Sequence, residues 1–107
     1  MTITKDVTET IEERLKKDTE FATALLDEAA FLLLNGEPET ARLILKDLIN
    51  ATIGFEELAQ QTSLPSKSLH RMLSAKGNPT MNNLTAIFDV LRQKFQVSLE
   101  VTAISIK

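Results

Sequence analysis

Apolar residues recur at helical spacing along most of the chain. Ile3, Val7, Ile11 and Leu15 return every four residues, with Glu9, Glu12 and Glu13 on other faces. That spacing predicts an amphipathic helix over residues 5–16. Asp18 is placed to cap the N-terminus of a second helix beginning near Thr19. In this second helix Phe21, Leu25, Ala29 and Leu32 form one stripe, and Ala22, Leu26, Ala30 and Leu33 form the adjacent one. Two adjacent stripes predict a wide buried face. Asn35-Gly36 supplies a left-handed stop, and Pro38 suits the first turn of the next helix. Ala41, Ile44, Leu45, Leu48 and Ile49 mark the inner face of a helix over 38–51. Gly54 breaks the chain. Two short helices follow, over 55–62 and 66–73, then a loop at 75–79. A further helix over 80–91 turns Leu84, Ile87, Phe88 and Leu91 inward. The tail changes period: Phe95, Val97, Leu99, Val101 and Ala103 alternate with Gln96, Ser98, Glu100 and Thr102. That is the pattern of a half-buried β-strand. A lone strand leaves its backbone groups unpaired, so the pattern calls for a partner, such as the same strand of a second copy.

The expected fold is therefore mainly α, with N-terminal helices and a C-terminal β-strand. It divides into a helical segment over 1–36, a central region over 37–93 and a dimer-forming tail over 94–107, all within one compact domain. A length of 107 residues suits a single core. Three glycines, three prolines and five aromatic residues, all Phe, argue for helices over a turn-rich β fold.

Charge changes the picture more than composition does. Residues 1–50 hold 6 basic and 11 acidic side chains, and residues 51–107 hold 6 basic and 4 acidic. An acidic half thus precedes a locally basic one, although the net charge is −3. Between Ser63 and Phe95 the cations Lys67, Arg71, Lys76, Arg92 and Lys94 face Asp89 alone. Chance clustering of solvated charges is the plain alternative.

Several chemistries are excluded or unsupported. The absence of Cys removes disulfides, thiolate zinc sites, iron–sulfur clusters and Cys nucleophiles, and fits a reducing cytoplasm. The first residues lack the pattern of a signal peptide, and the longest apolar run, residues 29–34, is too short to span a bilayer. A cytoplasmic protein without membrane contact is expected. His70 is the only His, so a metal site lacks convergent ligands. Gly36, Gly54 and Gly77 lie too far apart to cradle a phosphate, so no cofactor is expected. Ser68, His70 and Asp89 lack the glycine context of a nucleophile elbow. The chain is expected not to be an enzyme.

Residues 55–73 carry the strongest functional signal. Two short helices that cross steeply need a small residue where their axes meet, and Ala59 supplies it. Leu58, Leu64, Leu69 and Met72 then fall on the packing faces, and Phe55 is expected to pack inward. The second helix turns Ser66, Lys67, His70 and Arg71 outward, in the manner of a helix that enters a DNA major groove.

Here the chain resembles the lambda-repressor-like helix-turn-helix family over residues 41–91, and within it the HigA-like addiction-module antidote proteins. The resemblance is carried by Glu57-Leu58-Ala59, by Ser68-Leu69-His70-Arg71-Met72-Leu73-Ser74 and by Gly77-Asn78-Pro79-Thr80. The upstream run Phe21-Ala22-Thr23-Ala24-Leu25-Leu26-Asp27-Glu28-Ala29 and Asn35-Gly36 add to it. The resemblance implies a helix-turn-helix bundle with Ser66, Lys67 and Arg71 at base-reading positions, beside Ser68 and His70. Lys67 and Arg71 are suited to guanine O6 and N7. Lys76 and Asn78 in the following loop are suited to phosphate. Three positions depart from the family: Ser63 replaces the usual turn Gly, Thr62 an aliphatic residue, and Pro65 a Ser or Thr cap. The alternatives are a solvated face for Lys67 and Arg71, an N-cap for Ser66, a packing or surface role for His70 and simple loop charge for Lys76.

The resemblance also implies partners: double-stranded operator DNA with an inverted repeat, read by a homodimer, and a small basic toxin of the RelE/HigB type that cleaves messenger RNA. The amphipathic segment over 4–17 is a candidate toxin-covering surface, with an ordinary helix packed on its own domain as the alternative. A stand-alone repressor and a helical adaptor without DNA binding are the competing functions.

Overall fold

The computed structural model describes the backbone from Ile3 onward and side chains from Thr19 to Lys107. Five helices follow in order: α1 (Ile3–Leu34), α2 (Pro38–Ala51), α3 (Gly54–Thr62), α4 (Ser66–Met72) and α5 (Met81–Phe95). The mainly α expectation agrees with this.

The two N-terminal helices expected from the sequence are one. No Gly or Pro interrupts the chain between Lys5 and Asn35, so nothing breaks the backbone ladder at Asp18, and α1 runs through it. The stripe of Ile3, Val7, Ile11 and Leu15, the side chain of Asp18 and the partner surface assigned to 4–17 lie outside the described side chains. Farther along α1 the buried face is narrower than the double stripe implies. Ala22, Leu26 and Ala29 are buried and Leu25 packs beside them, while Phe21 and Phe31 are mostly exposed. A single helix has one face to bury, and the flanks of a wide stripe stay in water when only one layer packs on it.

Left-handed Gly36, with φ of +86°, ends α1, and the N–H of Glu37 returns to the Leu32 carbonyl at 2.8 Å. Pro38 then starts α2, whose Ala41, Leu45, Leu48 and Ile49 are buried as the spacing requires. Thr80 caps α5 by accepting the Asn83 N–H at 3.1 Å. That helix runs four residues past the expected end, to a left-handed Gln96. One core joins these elements: Leu26 of α1, Leu45 and Ile49 of α2, Leu58 of α3, Leu69 of α4 and Leu91 of α5 all belong to it.

The expected C-terminal β-strand does not form. No strand occurs among the described residues, and residues 97–107 are neither helix nor turn. Half-burial does alternate from Phe95 to Glu100, and Val97 and Leu99 lodge against the core. The pattern of a strand is thus present without its ladder. The neighbouring elements are helices, whose backbone groups are already paired internally, so the tail finds no partner for its own. The dimer contact assigned to that strand loses its basis with it.

Candidate nucleic-acid interface

α3 and α4 are joined by a tight turn at residues 63–65. Ser63 takes the left-handed conformation, with φ of 59° and ψ of 28°. A Cβ makes that region unfavourable, which is why glycine is usual at such turns. Ser63→Gly is expected to raise the unfolding free energy by about 1 kcal/mol. Urea denaturation measures this, and an unchanged midpoint would show that the turn carries no strain.

The neighbouring departures from the family pattern have local uses. The Thr62 hydroxyl donates to the Leu58 carbonyl at 2.7 Å and accepts the Leu64 N–H at 3.3 Å. An aliphatic side chain would make neither bond. Pro65 occupies the capping position of α4 in extended backbone, without a side-chain cap. Its carbonyl receives the Leu69 N–H at 3.0 Å. Ser66 is therefore the first helical residue and not the cap that the sequence left open.

The two faces of α4 divide cleanly. Leu69 and, just past the helix end, Leu73 are fully buried, with Met72 packed beside them. Lys67, His70 and Arg71 are exposed, while Ser66 and Ser68 lie half-buried at the edges of the helix. Phe55 packs inward as expected and stacks on the His70 ring, with centroids 3.9 Å apart and planes at 22°. His70 is thus both a packing residue and an exposed one. Its ring is held against α3 while remaining open to solvent beside Arg71.

The loop after α4 folds back onto that helix's C-terminal end. The Ser74 N–H and hydroxyl both donate to the Arg71 carbonyl, at 3.2 and 2.8 Å. Gly77 N–H donates to the Ser74 carbonyl at 3.0 Å. Arg42 of α2 reaches across to donate from Nε to the Ser74 carbonyl at 3.1 Å and from Nη2 to the Ala75 carbonyl at 2.9 Å. This clamp holds Lys76 and Asn78, both exposed, next to α4. Arg42 was not singled out from the sequence. Its partners are backbone carbonyls more than thirty positions away, and no residue pattern announces such a bond.

The cations of this surface differ in availability. The only ion pair among the described residues joins Arg92 Nη2 to Asp89 at 2.7 Å. The hydrogen bond from Arg92 lowers the Asp89 carboxyl below its ordinary value, and a second from Gln93 adds to this. Arg92 is thereby matched, whereas Lys67, Arg71 and Lys76 have no carboxylate partner among the described residues. With Arg92 matched, Lys67 and Arg71 of α4 and Lys76 of its loop stand together with His70 and Asn78, while Lys94, also without a carboxylate partner among the described residues, lies apart in sequence on α5.

No group of three or more His, Asp or Glu residues able to hold a metal ion occurs among the described residues. No described helix is long and apolar enough to cross a membrane. Comparison with known proteins finds no family model, no curated protein and no solved structure that matches the chain.

Proposed function

We propose that the chain is a sequence-specific DNA-binding transcriptional regulator that reads a major groove with α4. One observation carries this reading: α4 buries Leu69 on one face and presents exposed Lys67, His70 and Arg71, without carboxylate partners, on another. Base edges are reached by Lys67 and Arg71, with Ser66, Ser68 and His70 alongside. Lys76 and Asn78 meet phosphate and set the register. Two copies bind an inverted repeat, as half-sites spaced one helical turn apart require. By the resemblance to antidote proteins, the regulator represses its own operon and also neutralises a small basic toxin. The acidic composition of residues 1–50 supports that second role.

Fluorescence anisotropy with a labelled fragment from the gene's own upstream region tests the DNA role. Arg71→Ala is expected to lose about 1–3 kcal/mol and to relax specificity at one base pair. Lys76→Ala is expected to weaken all sequences alike and to reduce the salt slope by about 1. Equal affinity for the upstream fragment and random DNA, with no response to either substitution, sinks the proposal and leaves the adaptor reading. Sedimentation as a monomer both free and on the operator would remove the two-copy arrangement.

A further inference from the structure

A second surface lies away from α4, between the end of α1 and the C-terminal tail. The two segments enclose an open groove of about 510 Å³. Phe31 and Leu34 of α1 line one side, and Val101 and Ile104 of the tail line the other. They are 58%, 64%, 69% and 79% exposed, so four large apolar side chains share one site with water. Contiguous exposed apolar surface of this kind marks interaction sites.

Two further features define what fits. The main-chain N–H groups of residues 98–106 have no hydrogen-bond partner among the described residues. Such groups are donors for the backbone of an incoming segment. The charged groups lining the groove are Asp27 and Glu100, with no Lys or Arg among the lining residues. Neither carboxylate has an ion-pair partner among the described residues.

We infer that this groove docks a protein segment in which apolar side chains alternate with Lys or Arg. The apolar side chains fill the space between Phe31, Leu34, Val101 and Ile104. The segment's carbonyls accept from the tail N–H groups, and its cations meet Asp27 and Glu100. Charge decides against a second copy as the occupant. A symmetric contact sets the same patch against its own copy, and that patch carries no Lys or Arg, so a second copy brings no cation to Asp27 or Glu100. The docking does not depend on the DNA-binding proposal, because it uses other elements.

The test uses the full chain and a fluorescein-labelled peptide, Lys-Val-Lys-Ile-Lys-Val-Lys-Ile, with a counterpart carrying Glu at every Lys position. Anisotropy is expected to show the Lys peptide binding at least about tenfold tighter than the Glu peptide. The double variant D27K/E100K is expected to remove that preference, and Val101→Asp to remove binding. All three side chains touched are exposed or lie on the tail, and helical circular dichroism of each variant checks that the fold is kept. Equal affinity for the two peptides, no binding of the Lys peptide, or binding unaffected by Val101→Asp overturns the proposal. So does a wild-type dimer that Val101→Asp converts to monomer, since the groove would then belong to a second copy. Operator binding measured on the same variants is expected to be unchanged, so failure here is distinguishable from failure of the DNA role.

Discussion

Truncating Leu69 to alanine is expected to lower the unfolding free energy by about 2–5 kcal/mol. The side chain is fully buried at the centre of the core, so its removal leaves a cavity as well as losing transfer free energy. The position matters because α4 is only seven residues long and Pro65 gives it no side-chain cap. A helix this short does not persist on propensity alone and is held by its packing. Leu69 and Leu73 are the side chains that hold it. Denaturant unfolding should show a lower midpoint with an unchanged slope. Operator affinity should fall as well, because the helix that presents Lys67 and Arg71 loses its anchor. A stability loss below about 1 kcal/mol would mean that α4 is held by something other than its buried face.

Replacing Gly77 with alanine is expected to cost about 1–3 kcal/mol in stability and to weaken operator binding together with it. Gly77 is not in the left-handed region, so its requirement is for space and not for backbone freedom. An added Cβ would stand 2.5 Å from the Arg71 carbonyl oxygen and closer still to that of Met72. Both are main-chain atoms at the end of α4, and neither can swing aside as a side-chain tip does. The loop must therefore lift off the helix, which also breaks the Arg42 bonds to Ser74 and Ala75. Lys76 and Asn78 move with it. By contrast, Gly36→Ala meets no atom within 4 Å and strains only the local φ, so its effect on operator binding is expected to be small. A Gly77→Ala protein that binds the upstream fragment as tightly as wild type would show that the loop's position does not matter to DNA.

The candidate interface was legible in the sequence to an uneven degree. The inward turn of Phe55, the buried Leu69 and the exposed Lys67 and Arg71 follow from helical spacing, which fixes angles around an axis from residue number alone. The left-handed Ser63 was expected only through the resemblance, as the residue standing where that family has its turn Gly. The Arg42 clamp and the tight seat of Gly77 were not visible. Each depends on how close two distant backbones come, and no local periodicity encodes that distance.

The sequence by itself determined the order and inner faces of α2 through α5, because their breakers are local: Gly36, Pro38, Gly54 and the Gly77-Asn78-Pro79 loop. The continuity of the front is also written locally, in the lack of any breaker, and only the tertiary structure decided the fate of the tail. At the front, nothing local separates the expected pair of helices, and they join as α1. At the back, alternating residues from Phe95 onward have the side-chain period of a strand, but a strand exists only where another backbone accepts its hydrogen bonds. The helices of this chain have none to offer, so the tail packs Val97 and Leu99 and leaves the rest of its main chain open.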